Sequence, residues 1–277
     1  MTPHHLSNSN LIDQLRTMQH QEQTHYKCGV DYLNLPSPFL GAAGVTIEER
    51  EAMCRWAYEI VDACQVDRAI ACIGITYFDR FMCTSSMRAK SALISRREFQ
   101  MAFISCLILA LKYHTYLAVD ADIISQRLYN QQEIYETEKE ILCALNWRMN
   151  GPSPHDFIHY FLLLLPSTKL SIPNLIPSLT EIAEVQSEIA MLDYAMALQP
   201  PSHVAISSVL AALKHMSTEM FHPIDRLAFL ETLALITGVE YDGTTIEAIQ
   251  ERLVMMVPED TFSKRRSIDM VNLFDDQ

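Results

Sequence analysis

Asp79 and Lys112 are ionisable side chains set into largely apolar or aromatic stretches, Glu138 lies on a following helix, and Arg55 lies one helix before Asp79. Lys112 closes the apolar run of residues 101–111, where a cation favours the carbonyl end of a helix. Glu138 sits in Glu136-Thr137-Glu138-Lys139-Glu140, a pattern that suits a solvated helix face. Each has an ordinary role alone; together, a lysine and a glutamate on successive helices could form a docking edge. Asp79 lies within the aromatic-rich residues 75–81, where an unpaired carboxylate is costly to bury and needs a cationic partner. Arg55 is the natural one, because a guanidinium satisfies both carboxylate oxygens at once. The alternative is a surface Arg55 paired with Glu51 or Glu59 at helical spacing, and residue types leave the choice open.

This chemistry is binding, not catalysis. The 10 histidines are scattered, no glycine-rich phosphate loop occurs, and no nucleophile stands beside a base, so an enzyme is not expected. The seven cysteines are odd in number and show no CxxC spacing, which predicts reduced, mostly buried thiols with no metal site and no cofactor.

The elements that must position these residues are helical. Of 277 residues 49% are hydrophobic and only 7 are glycine, and leucine, alanine, isoleucine, methionine, glutamate and glutamine predominate, a balance that favours helix. Apolar residues recur at three and four from Asn10, then fade into an extended strap through Asp31-Tyr32-Leu33 and Pro36-Ser37-Pro38. Thr46 followed by Glu48 and Glu49 starts a helix to about Cys64. A second helix ends near Phe81, and a basic, loop-like stretch with Arg88, Lys90, Arg96 and Arg97 follows. A nearly all-apolar helix spans residues 97–113, a short one 119–127, and another 130–145. Ser153-Pro154 restarts the pattern, with helices over 154–165, 174–198, 202–216, 222–237 and 242–256. The expectation is an all-α chain: a helix and strap over 1–45, five-helix units over 46–150 and 151–257, and an acidic loose tail over 258–277.

The net charge of −13 opposes non-specific nucleic-acid binding, which draws on a basic surplus. The apolar runs are too short to span a bilayer and the first residues are polar, so a soluble chain with no membrane partner is expected.

Arg55, Asp79-Arg80-Phe81, Leu109-Ala110-Leu111-Lys112-Tyr113 and Glu138 together resemble the cyclin box. Ser153-Pro154-His155-Asp156-Phe157-Ile158 and Pro200-Pro201-Ser202-His203-Val204-Ala205 resemble the second fold of D-type cyclins. The resemblance covers residues 10–257 and implies two tandem five-helix cyclin folds. It also implies that Arg55 and Asp79 brace the box internally. Lys112 and Glu138 would hydrogen-bond a cyclin-dependent kinase, with Tyr113 and Leu142 supplying apolar contact. The implied role is a kinase-activating subunit in G1/S-type cell-cycle control, in nucleus and cytoplasm, with kinase substrates or inhibitors as further partners. The alternatives are a transcription-type cyclin serving a polymerase-tail kinase, and a cyclin-fold transcription factor. Two departures stand out. His114 and Thr115 replace the two acids that follow the lysine in many cyclins, and Trp56, Tyr58 and Glu59 intrude on the family's substrate-docking patch around Arg55.

Overall fold

A computed structural model of the chain describes residues 8–27, 30–34, 44–170, 172–214, 216, 221–238 and 245–256. Cys28, the Pro36-Ser37-Pro38 part of the strap and the tail from 258 lie outside them. Among the described residues all regular structure is helical, and no helix is long and apolar enough to cross a membrane. By packing, the chain forms two units. One comprises Thr17–Ser153 with Ala190–Pro201; the other comprises residues 8–16, 154–189 and 202–256 as far as they are described.

In the first of these, α2 (Ile47–Ala63) starts at Thr46 with a capping box: the threonine side chain accepts from Glu49 N, and the Glu49 carboxylate accepts from Thr46 N. Then follow α3 (Ala69–Met82), α4 (Met87–Ile94), α5 (Arg96–His114), α6 (Ala121–Ile124) and α7 (Gln131–Ala144). The basic stretch expected to be a loop instead forms the helix α4 and the start of α5, so residues 46–150 hold six helices instead of five. The start of α4 was readable in residue types: Ser86 caps Arg88 N, and Ala89 and Ala92 turn inward. The central helix is α5, buried continuously from Met101 to Leu111 and packed on α3, α4 and α7.

The crossing of α3 and α5 depends on Gly74. A Cβ there would meet the Leu107 Cα at 3.1 Å and its Cδ1 at 3.2 Å, so the two backbones would have to part. Gly74→Ala should therefore lose about 1 kcal/mol of stability or more by thermal unfolding. That loss is expected although alanine alone favours helix by about 1 kcal/mol.

The helix α1 (Asn8–Gln23) buries Leu11, Leu15 and Met18 at the expected spacing. The other unit has α8 (Pro154–Leu162), α9 (Ser167–Leu170), α10 (Leu175–Leu192), α12 (Pro201–Lys214), α13 (Pro223–Thr237) and α14 (Thr245–Met256). Its buried residues include Phe157, Phe161, Val204, Phe229, Leu233 and Leu253. The helix expected over 174–198 is broken at Asp193, whose carboxylate caps Ala195 N at 2.8 Å and begins α11 (Tyr194–Ala197). That break gives Tyr194 its own direction, used below.

Candidate functional site

The end of α3 organises the first unit. Asp79 is buried and its carboxylate is held by Arg50, not Arg55: Arg50 Nε donates to Oδ1 at 2.9 Å and Nη2 to Oδ2 at 2.6 Å. The brace expected of Arg55 is corrected accordingly. On α2 the buried stripe runs Arg50, Cys54, Ala57, Tyr58, Val61, at spacings of three and four. Arg55 lies off that stripe, exposed, with Nη2 on Glu51 at 2.6 Å, one turn back. That is the surface pairing left open by its residue type.

Burial is the largest single influence and lowers the Arg50 pKa, but the charge and hydrogen bonds of Asp79, with Cys54 and Tyr32, together outweigh it and hold the guanidinium well above its usual value. Its remaining nitrogen, Nη1, donates to the carbonyls of Met191 and Leu192, and its plane lies over the Tyr194 ring. Burial keeps the neighbouring Cys54 a neutral thiol, its pKa pushed up to about 12. The six described cysteines are all free; three are buried, but Cys143 is exposed.

The strap joins the same network. Tyr32 OH donates to Asp79 Oδ1 at 2.6 Å, and burial with the adjacent carboxylate raises the phenol pKa well above normal. Tyr194 OH accepts from Leu33 N at 3.0 Å and donates to Asp31 Oδ1 at 3.1 Å. Tyr194→Phe leaves the buried Leu33 N–H without its acceptor. It should cost about 1–2 kcal/mol, read as a lower urea midpoint at unchanged slope.

The neighbours of Asp79 fix the edge of the unit. Tyr77 OH donates to Met149 O at 2.6 Å, so His114 Nε2, 2.8 Å away, must be its donor. Arg80 donates to Arg148 O at 2.9 Å and lies over the Tyr26 ring. These bonds tie the last turn of α5 to the segment after α7.

At that edge Lys112 and Glu138 meet. Lys112 Nζ reaches both Glu138 oxygens, at 2.6 and 2.9 Å, so the two charges form one unit instead of two separate clamps. Glu138 is nearly buried, its side chain 9% exposed, whereas that of Lys112 is 42% exposed. The third ammonium hydrogen and the unused carboxylate lone pairs are what a partner could engage.

On α7 the residues Ile134, Thr137 and Ile141 face the core, while Tyr135, Glu138 and Leu142 fall on one flank. Tyr113 is exposed, its hydroxyl accepting from Asn150 Nδ2 at 3.2 Å. Leu142 is half-buried and packs on the core, which limits what it presents.

Residue-type reasoning missed Arg50, Tyr135 and Trp147. Trp147 is 67% exposed and, with Asn146, takes a left-handed backbone (φ 59° and 53°), which a bulky residue rarely adopts. Trp147 N donates to Leu142 O at 2.9 Å, so the turn that ends α7 carries an exposed indole. Its only signal was an aromatic residue directly after a helix end. Among the described residues no group of three metal-ligating side chains comes together.

Residues 13–150 match the family model of the cyclin N-terminal domain, and residues 152–269 that of the cyclin C-terminal domain. The chain is similar to G1/S-specific cyclin-D2 of Xenopus laevis, 25% identical over 210 residues, covering 74% of this chain and 67% of that protein. It is also similar to G2/mitotic-specific cyclin S13-6 of Glycine max, 28% identical over 207 residues, covering 73% of this chain but only 41% of that longer protein. Among solved structures, a viral cyclin from herpesvirus saimiri shares the fold, with a TM-score of 0.62 at 15% identity, covering 89% of this chain and 98% of that one. The chain belongs to the cyclin family.

Proposed function

We propose that this protein is a regulatory subunit that binds and activates a cyclin-dependent kinase in cell-cycle control of the G1/S type. The observation that carries the reading is the Lys112–Glu138 pair linking α5 and α7, with exposed aromatic side chains on the same two helices and the turn after α7 (Tyr113, Tyr135 and Trp147). Such an edge has the composition of a binding centre: aromatic anchors around a partly desolvated charge pair. The G1/S assignment rests on the resemblance of residues 153–158 and 200–205 to the second fold of D-type cyclins and on similarity to cyclin-D2 over 67% of its length.

Nothing in this role needs a reacting group on the chain. Docking on the α5–α7 edge would hold the kinase's regulatory helix inward, completing the kinase's own Lys–Glu ion pair and letting its activation loop order. The effect is a population shift: the subunit binds the active arrangement better than the inactive one. Lys112 would offer its remaining hydrogen to a kinase backbone carbonyl, and Glu138 its lone pairs to a backbone N–H.

Affinity capture from native lysate, followed by identification of bound kinases and a phosphotransfer assay, tests this. The wild-type chain should retain a cyclin-dependent kinase, and Trp147→Ala should retain much less. Capture of no such kinase, or equal capture by the variant, contradicts the assignment.

A further inference from the structure

The second unit holds a cavity and two cations that the kinase edge does not use. The cavity, of about 210 Å³, lies between α12, α13 and α14. Its floor is apolar: Leu213 and Ile246 are buried, and Leu210 and Leu230 are half-buried at its walls. Lys214, the last residue of α12, and Arg226, in the first turn of α13, also line it. Neither has a carboxylate partner among the described residues, whereas Arg50, Arg55, Arg88 and Arg97 of the first unit all do. Arg226 Nη2 donates to the Leu213 carbonyl, and its other N–H groups have no described acceptor. Asp225, its neighbour in the chain, is already neutralised by Lys169 at 2.9 Å. Glu247 is the one acid among the lining residues, so two cations against one glutamate leave one positive charge, in a chain of net charge −13.

On α14, Gln250 is only 9% exposed, lines the cavity and makes no hydrogen bond among the described residues. A nearly buried amide that bonds nothing is costly, because it has lost water without gaining a partner. The amide carries both a donor and an acceptor, the pair that the backbone of an extended peptide matches. One turn further along α14, on the same flank, Val254 is 50% exposed and continues the apolar surface.

We propose that this cavity receives one aliphatic side chain from an extended segment of a partner protein, with an aspartate or glutamate beside it. The aliphatic group would rest on Leu213 and Ile246, the carboxylate on Lys214 and Arg226, and the segment's backbone on Gln250. Size selects a peptide over a free small molecule. The cavity is smaller than the about 300–1,000 Å³ of most ligand sites, and Val254 extends the surface beyond it. Charge selects an acidic segment: a basic one would set its cations against Lys214 and Arg226. Two cations facing one glutamate are too few to hold a nucleic acid.

The test uses the full chain and a fluorescein-labelled peptide with one leucine set among aspartates, read by anisotropy. Companion peptides carry lysine for aspartate, or alanine for leucine. The leucine–aspartate peptide should bind saturably, and each companion at least tenfold more weakly. Lys214→Glu, at an exposed position, should weaken binding tenfold or more, and raising salt should weaken it further. Gln250→Met, close in shape, should weaken it at least threefold while the melting temperature holds or rises, since it removes an unpaired amide. Lys112→Ala, in the other unit, should change nothing, which separates this outcome from that of the kinase edge. The proposal is overturned if binding is not saturable, if either companion binds equally, or if Lys214→Glu and Gln250→Met both match wild type. It is also overturned if Lys112→Ala weakens the peptide as much as Lys214→Glu. A dimer in sedimentation that Lys214→Glu dissolves would overturn it too, the cavity then being taken by a second copy.

Discussion

Arg50→Ala should lower the melting temperature of the first unit by roughly 10 °C or more, while Arg55→Ala leaves it within about a degree or two. The arginine is fully buried and is the cation on a carboxylate that is itself 4% exposed. Removing it leaves Asp79 with the Tyr32 hydroxyl alone, and an uncompensated buried charge costs about 3–5 kcal/mol. At ~2–4 °C per kcal/mol for a body of this size, the shift follows. The substitution also frees the carbonyls of Met191 and Leu192. Arg50→Lys should rescue little, since an ammonium cannot span both carboxylate oxygens and the two carbonyls together. Arg55 pairs with Glu51 at the surface, where such a bond contributes well under 1 kcal/mol. Equal losses for Arg50 and Arg55, measured by calorimetry, would refute the brace as drawn.

Lys112→Ala should weaken kinase association by about 2–3 kcal/mol, roughly 30- to 150-fold, with little change in the stability of the free protein. Within the free chain Glu138 is nearly buried but Lys112 is 42% exposed, so water screens the pair from the lysine side and it contributes about 1 kcal/mol. In a complex the same pair would be desolvated, and truncating one member would leave Glu138 buried without its cation. Glu138→Ala should act similarly. The double variant should lose much less than the sum of the two single losses, because the charges act as one unit. Additive losses in isothermal titration would show instead that each charge contacts the kinase independently.

Much of this arrangement was legible in residue order. Thr46 with Glu49 and Asn130 with Glu133 mark helix starts that form as capping boxes, and the apolar run through 101–111 became the buried centre. Lys112 and Glu138 were readable as a pair because only 26 residues and one short helix, α6, separate them in the chain. The brace was misassigned for an avoidable reason. Arg50 falls one turn before Cys54 and two before Ala57, on the buried stripe, whereas Arg55 falls on the charged one. Guanidinium chemistry suits Arg50 and Arg55 alike, and only the period of the buried stripe separates them.

Other features had no local signature. Tyr194 lies more than 150 residues from Leu33 and Asp31, which it holds, and only tertiary packing brings them together. The left-handed backbone at Trp147 is a property of the turn, not of tryptophan. The helix α4 was hidden because its one arginine, Arg88, looks solvated in the sequence, whereas it is turned onto Glu98 of α5 and Glu140 of α7.

The central claim is that this chain switches a kinase on through the α5–α7 edge. Its most direct test is reconstitution of phosphotransfer, with purified monomeric cyclin-dependent kinases of the cell-cycle and transcription classes and a Ser-Pro peptide as acceptor. The wild-type chain should raise the turnover of a cell-cycle kinase by at least a hundredfold, and Lys112→Ala should shift the half-activating concentration upward by 30-fold or more. No activation of any such kinase by a folded chain, or activation that Lys112→Ala and Glu138→Ala leave unchanged, would contradict the account.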